Sequence, residues 1–393
     1  MRLAILLQSY GRFGGAERLA LSHYIEMRRR GQDVTFYYTG TMSCGWEERL
    51  DGEPIRSIPT AILNRPKRFR LLRKFLEELK QYDKIIIHHH IEPVLAFYLS
   101  KALGPRIVWY SGSMFELAWE EIITGVDYRR ISPTVRRTGG EFYGGLLAKM
   151  LLSDQLYGLT ARVAKVVDIE TVRGYGKVIA NSSFLSNFLK RVYRLGETPS
   201  VVYPAADPLL EQLALENHVQ EEDYMLIVGS LIPLKNVESM IRAASHVQSS
   251  KIMVIGDGQE MSNLKDLGSE LDVPIEFRGT MNREEDLAQA YGGCKFLVHL
   301  SLYEPFGLTP VEAGLFSKPS IVTNHGGPPE VVVDGVTGYI VDPLDHQFIG
   351  SKMNALLDDD TLRHDMGKRA RENIVQKFTL ERSTNRLLEE VES

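Results

Sequence analysis

Two doubly wound α/β domains in tandem are the fold class this sequence predicts, on three observations. Short apolar runs ending in glycine-containing turns alternate with helical periods along both halves, as in parallel sheets covered by helices. A chain of 393 residues is long for one hydrophobic core. The formal charge of −5 is also unevenly divided. Residues 1–200 carry 30 Lys/Arg against 20 Asp/Glu, whereas residues 201–393 carry 16 against 31. Halves of opposite sign predict separate bodies, at 1–205 and 206–377, with different surfaces to present.

In the first half, RLAILLQSY (2–10) reads as a strand followed by a turn from Gly11 to Gly15. Residues 16–30 then place Leu19, Ala20, Tyr24 and Met27 at helical spacing, Gly31 stops the helix, and 33–40 is a second strand. Strand, glycine loop, helix and strand make a βαβ unit, so the sheet is expected to be parallel. The loop reads GRFGG rather than GxGxxG, and no acidic residue closes the second strand. A nicotinamide-dependent oxidoreductase is therefore set aside. Gly14 and Gly15 would let a backbone approach a ligand at a helix start, although a plain tight turn explains them equally well.

Residues 65–80 form the most basic stretch. Phe69, Leu72, Phe75, Leu76 and Leu79 share one helical face, and Arg65, Lys67, Arg68, Arg70, Arg73 and Lys74 crowd the start. The simple reading is a helix lying on the sheet with a solvated basic face. The sharper one is contact with an anionic membrane surface. Nucleic acid ranks last, because no helix-turn-helix, zinc or RNA-binding aromatic pattern accompanies the charge. DKIIIHHH (83–90) is a buried strand running into three histidines. Alternation puts His88 and His90 on one face and His89 on the other. With Glu92 the only further ligand nearby, a metal is not expected there. A strand and turn at 106–113 are followed by a mixed, mostly helical insertion to about 175. Residues 177–194 give a strand, a cap at Asn181-Ser182-Ser183 and an amphipathic helix. A Pro-containing linker (200–208) and an acidic run to Asp223 suit a domain crossover.

The second half repeats the alternation, with strands at 225–230, 251–258, 275–280, 295–301, 319–324 and 338–342. Residues 378–393 form a last helix expected to pack back on the first domain. The segment EPFGLTPVE (Glu304 to Glu312) connects the 295–301 strand to a helix. Thr309 and Glu312 are spaced as a capping box, and Pro310 suits the first helical position. The amides of Gly307, Leu308 and Thr309 would then face outward beside Glu304, a carboxylate next to an anion cradle. Glu304 alone would be a surface loop residue, and Glu312 alone a structural cap.

Composition adds bounds. Hydrophobic content of 44% and charged content of 25% are ordinary for a globular chain. Cys44 and Cys294 lack metal spacing and fit a reducing compartment. Met1 leads directly into a strand, with no leader expected. No apolar stretch approaches the roughly 20 residues of a membrane span, so a cytoplasmic protein, peripheral on the inner membrane face, is expected.

EPFGLTPVE, GGPPE (326–330), VGSLIPLKN (228–236), VIGDGQE (254–260) and GGPPEVVVDGVTGYIVDP (326–343) occur in an order that resembles the retaining nucleotide-sugar glycosyltransferases of family 4. GGAER, VIANSSFL and VVYPAAD extend the likeness into the first half. The resemblance implies the GT-B fold, with two Rossmann-like domains facing a central cleft. It implies a nucleotide-sugar co-substrate, no cofactor and no metal, so Asp358 to Asp360 reads as a solvated loop. Lys235 would neutralise the donor diphosphate with the amides of Gly307, Leu308 and Thr309, while Gly14 and Gly15 close from the other domain. Phe306 would belong to the same donor site. Glu312 would reach the ribose, and Gly256, Gly258 and Thr280 would line the base. Glu304 would sit at the sugar as the catalytic residue.

Two positions depart from that pattern. Ser230 stands where relatives carry an arginine. The turn where many relatives carry a histidine near the sugar reads Ser111-Gly112-Ser113, leaving His88, His89 or His90 as stand-ins. The expected activity is transfer of a hexose, mannose from GDP-mannose first and UDP-sugars next, to a lipid-linked or glycan acceptor. The rival is a catalytically weakened relative that binds a nucleotide sugar or glycan and acts through a partner.

Overall fold

The computed structural model describes residues 1–8, 14–39, 50, 54–58, 68–89, 91, 93–112, 166–216, 219–247, 251–281 and 283–393. The chain divides into two compact units. Among the described residues, one comprises 1–112, 166–205 and 380–393, and the other 206–379.

Unit 1 contains β1 (Arg2–Gln8), α1 (Gly15–Arg29), β2 (Asp33–Thr39), β3 (Ile55–Ser57), α2 (Arg68–Leu79), β4 (Lys84–His88), α3 (Pro93–Leu103), β5 (Ile107–Ser111), β6 (Lys177–Ala180), α4 (Ser183–Val192) and β7 (Ser200–Val201). The strands form one parallel sheet in the order β3-β2-β1-β4-β5-β6-β7, with Leu3 opposite Val34 on one side and Lys84 on the other. The near-continuous Ile, Leu and Val runs follow from burial of both sheet faces. Leu3, Ile5, Ile86 and Val108 pack with Leu19, Tyr24 and Met27 of α1. Ser182 caps α4, its hydroxyl accepting the Leu185 N–H at 3.0 Å.

Unit 2 contains α5 (Pro208–Glu216), β8 (Tyr224–Val228), α6 (Val237–Ala244), β9 (Lys251–Ile255), α7 (Met261–Glu270), β10 (Ile275–Gly279), α8 (Glu284–Gly293), β11 (Phe296–His299), α9 (Leu308–Leu315), β12 (Ser320–Thr323), α10 (Pro328–Val331), β13 (Gly338–Val341), α11 (His346–Asp358) and α12 (Asp360–Lys377). Its parallel sheet runs β10-β9-β8-β11-β12-β13. Each sheet therefore reverses its winding once, between β1 and β4 and between β8 and β11. Ligands of doubly wound sheets bind beyond the strand ends at such a reversal.

The last helix, α13 (Leu380–Glu392), lies in unit 1, where Leu387 and Val391 are fully buried against the β1 and α1 core. Lys177 and Ser200 hold its Glu390, each at 2.6 Å.

Three local expectations are corrected. The strand at 83–90 ends at His88, because His89 has a left-handed backbone (φ 65°). Strict alternation stops there, and the His89 ring stacks on His88 instead of pointing away. The 358–360 triad is a helix junction rather than a loop: Asp359 caps α12 by accepting the Leu362 N–H at 2.9 Å, and Asp360 pairs with Arg363. The third concerns α9, below. The insertion from 113 to 165 lies outside the described residues, and 166–173 is helical.

Candidate functional site

The winding reversal of unit 2 gathers the charged residues of the sequence reading. Lys235 follows β8 and Glu304 follows β11, and Lys235 Nζ donates to Glu304 Oε2 at 2.5 Å. His299, the last residue of β11, lies 3.3 Å from the same carboxylate oxygen through Nε2. An ionised carboxylate only accepts, so Nε2 carries the proton in that bond. His299 Nδ1 meets Thr309 Oγ1 at 3.0 Å, and Ser301 Oγ lies 3.3 Å from Nε2. Burial pushes the Glu304 carboxyl up, but the Lys235 ammonium and His299 more than reverse this and hold it at about 2.

The Glu304 loop is braced from below by the glycine pair of the GGPPE segment. Gly327 N–H donates to Glu304 O at 2.9 Å, and a Cβ on Gly326 (φ 81°) would lie 2.3 Å from that oxygen. Close backbone packing is thus why glycine follows at this spacing.

Helix α9 differs from the expected capping box. Gly307 (φ 103°) is its N-cap with no side-chain cap, and Pro310 is the third helical residue rather than the first. Two side chains are engaged elsewhere. Thr309 bonds His299, and buried Glu312 accepts the Tyr291 hydroxyl at 2.6 Å. The open helix start is unchanged in character. Among the described residues no backbone carbonyl accepts from Gly307, Leu308 or Thr309 N–H outside the helix. Lys235 and these amides flank Glu304, a cation and a positive helix end beside one acid. Such a set stabilises an anion that gains charge during bond cleavage.

Other predicted residues fall as follows. Phe306 is buried against Phe378, ring centroids 5.5 Å apart. Gly256 and Gly258 follow β9, their amides donating to Gly279 O (2.8 Å) and Asp257 Oδ1 (2.7 Å). Thr280 follows β10 and is exposed, as is Ser230 after β8. In unit 1, Gly14 caps α1 and its N–H donates to Glu17 Oε2 at 3.2 Å, with Gly15 the first helical residue. His88 is fully buried and Gly112 follows β5. Arg70, Arg73 and Lys74 are exposed on α2, opposite buried Leu72, Phe75 and Leu79. His90, Arg65 and Lys67 lie outside the described residues, and Arg68 is the first residue of α2. Sequence reasoning missed His299 and Tyr291. A polar residue closing the apolar Phe296-Leu297-Val298 run at the reversal was the available signal for His299.

The fold and this site define the class: two parallel-sheet, Rossmann-like units of GT-B type. Residues 13–208 match the family described as Glycosyltransferase Family 4, and 211–373 match Glycosyl transferases group 1. The chain is a GT-B chain of this glycosyltransferase group 1/family 4 type. Anabaena Alr3699/HepE in complex with UDP and glucose superposes with a TM-score of 0.74 at 18% identity over 99% of both chains. WaaG, a glycosyltransferase involved in lipopolysaccharide biosynthesis, gives 0.65 at 16% identity over 98% of both. The alpha-1,3/1,6-mannosyltransferase ALG2 of Dictyostelium discoideum is 26% identical over 52% of this chain and 57% of the relative. The N-acetyl-alpha-D-glucosaminyl L-malate synthase of Bacillus anthracis is 29% identical over 44% of this chain and 46% of the relative. The chain thus spans about half the length of these curated relatives.

The depressed Glu304 carboxyl has a defined pH signature. A folded-state value near 2, below the ordinary 4.5, contributes stability that is full above pH 4.5 and lost as pH falls towards 2. In Lys235→Met the ammonium is gone and the carboxyl rises. Urea unfolding at pH 7, 4.5 and 3 is expected to show a smaller acid loss than in wild type; equal losses would contradict the ion pair's part in it.

Proposed function

We propose that the chain is a retaining glycosyltransferase that moves a hexose from a nucleoside diphosphate to a hydroxyl of a lipid-linked or other glycan acceptor. One observation carries this reading: Lys235, Glu304 and the open start of α9 meet at the winding reversal of unit 2. GDP-mannose heads the donors on the sequence resemblance. UDP-glucose stands beside it because a structural neighbour is described in complex with UDP and glucose.

The bond between the sugar's anomeric carbon and the diphosphate oxygen breaks, and its electron pair leaves on the nucleoside diphosphate. The acceptor oxygen bonds the same carbon on the same face, and its proton passes to the departing phosphate. Lys235 and the amides of Gly307, Leu308 and Thr309 stabilise the growing negative charge, and Glu304 steadies the cation-like sugar. Lys235 must then exchange its 2.5 Å partner for phosphate oxygens, and His299 is the group that keeps hold of Glu304 when it does. Glu312, tied to Tyr291, is assigned to the ribose, and Gly256, Gly258 and Thr280 to the base. No cofactor or metal enters this reading, the ammonium and amides supplying the positive charge.

Ser230 favours a second reading, a nucleotide-sugar-binding protein acting through a partner, because an exposed hydroxyl stands where the resemblance places a guanidinium. A panel of nucleotide sugars read by mass spectrometry separates the two. Transfer predicts release of nucleoside diphosphate from at least one donor, falling by about 100-fold or more in Glu304→Gln, the size of losing one transition-state contact. Donor binding without release would select the second reading, and a fully active Glu304→Gln would overturn the assigned acid.

We further propose that α2 meets anionic lipid head groups through Arg70, Arg73 and Lys74, its apolar face being occupied by its own sheet. No helix among the described residues is long and apolar enough to cross a membrane. Co-sedimentation with phosphatidylserine vesicles should weaken as salt rises. In a variant with all three changed to Glu it should fall by a factor of ten or more, at about 1 kcal/mol per charge. Salt-insensitive binding would contradict this assignment.

A further inference from the structure

The chain neighbour of Lys235, Asn236, is buried, and the chemistry above leaves it unused. Its backbone is left-handed (φ 53°), a conformation that asparagine tolerates and glycine adopts most easily. Glycine would make this turn without help, so the side chain has to be explained by what it holds.

Asn236 stands at the start of α6, yet its amide makes no cap bond to that helix. A capping oxygen ordinarily accepts a helix N–H. Here Oδ1 accepts the Ser239 hydroxyl at 2.9 Å, while Nδ2 donates to Leu300 O at 3.0 Å and to Pro343 O at 3.2 Å. Two carbonyl oxygens on one side admit only the NH2 group, so the amide has one orientation. The Ser239 proton is then spent on Oδ1, and the Ser239 oxygen accepts from His346 Nε2, 3.2 Å away. Leu300 directly follows β11 and Pro343 lies just past β13. One amide therefore fastens the turn after β8 to the ends of two other strands.

A second tie lies on the other side of Lys235. Leu302 N–H donates to Leu234 O at 2.9 Å. Residues 234 and 236 are thus fastened to residues 302 and 300, which lead into Glu304. An ammonium on a flexible four-carbon stem is placed only as well as the backbone that carries it. At Lys235 that backbone is anchored on both sides to the segment bearing the partner carboxylate, and Nζ meets Glu304 Oε2 at 2.5 Å.

We infer that Asn236 is the positioning residue of Lys235: its amide fixes the Lys235 backbone against the Glu304 segment, so that the ammonium keeps one place whether it faces the carboxylate or a diphosphate. The diphosphate part rests on the function proposed above; the hold on Glu304 does not. The Asn236 amide bonds neither Glu304 nor the α9 amides, so its influence on the site passes through Lys235.

The test is a double-mutant cycle on the full-length protein, with the Glu304 carboxyl followed by ¹³C NMR as pH is lowered. Asn236→Gly keeps the left-handed turn and removes the amide. The Glu304 midpoint should rise by about 0.7 pH, the equivalent of a fivefold loss from one loosened hydrogen bond. In the Lys235→Met background the same substitution should add nothing, because the residue it positions is gone. Ser239→Ala leaves both carbonyl bonds of the amide in place. It should give a smaller rise, again absent beside Lys235→Met, and it decides the matter if Asn236→Gly fails to fold. An unmoved midpoint, even with a lowered Tm, overturns the positioning role, as does a rise of equal size in the Lys235→Met background. Calorimetric titration of UDP and GDP extends the cycle to the donor. Asn236→Gly should weaken binding about fivefold, and should weaken Lys235→Met no further. Additive losses overturn the diphosphate part. A wild type that binds neither nucleotide counts against the donor site, and the Glu304 midpoints still decide what Asn236 holds.

Discussion

A carboxylate kept ionised with little water around it is the constraint on which unit 2 depends. Glu304 is mostly buried at the end of β11, where an isolated carboxyl would take up a proton. It stays charged because Lys235 arrives from the end of β8, the neighbouring strand, and His299 from β11 itself. Lys235 is there only because the sheet order brings β8 beside β11. The rest of the loop serves the same placement. Gly326 and Gly327 let the following segment press against the Glu304 backbone, and Gly307 turns the chain into α9 with its amides open. A buried ion pair of this kind adds little net stability, since desolvation opposes the attraction. What it supplies is a cation and an anion poised at one point.

Unit 1 has the same strand order at its own reversal but different chemistry. Its polar residues at the ends of β4 and β5 are imidazoles, an amide and a glycine. At the start of its α1, the Gly14 amide is already taken by the Glu17 side chain.

Much of this was legible in the sequence, for physical reasons that differ by element. Strands such as ILL at 5–7, III at 85–87 and FLV at 296–298 are buried on both faces, so composition alone marks them. Helix α2 and α13 declare their buried faces through Leu72, Phe75, Leu387 and Val391. Lys235 and Glu304 were legible because their motifs sit at strand ends, where a parallel sheet exposes its chemistry. Fine geometry was not legible. Thr309 and Glu312 have capping-box spacing, but spacing cannot report that His299 and Tyr291 compete for those side chains. Alternation placed His89 opposite His88, and one left-handed residue reversed that. The hydrogen bond between His23 Nε2 and Ser383 Oγ, 2.9 Å apart, joins positions 360 residues apart in sequence, which no local pattern encodes.

The central claim is that Lys235 and the start of α9 hold a diphosphate. Calorimetric titration of UDP and of GDP into wild type and Lys235→Ala tests it most directly. The account predicts that at least one nucleotide binds wild type and binds the variant about 10- to 100-fold more weakly, with a shallower dependence on salt. Equal affinity and equal salt dependence in the two proteins would contradict it.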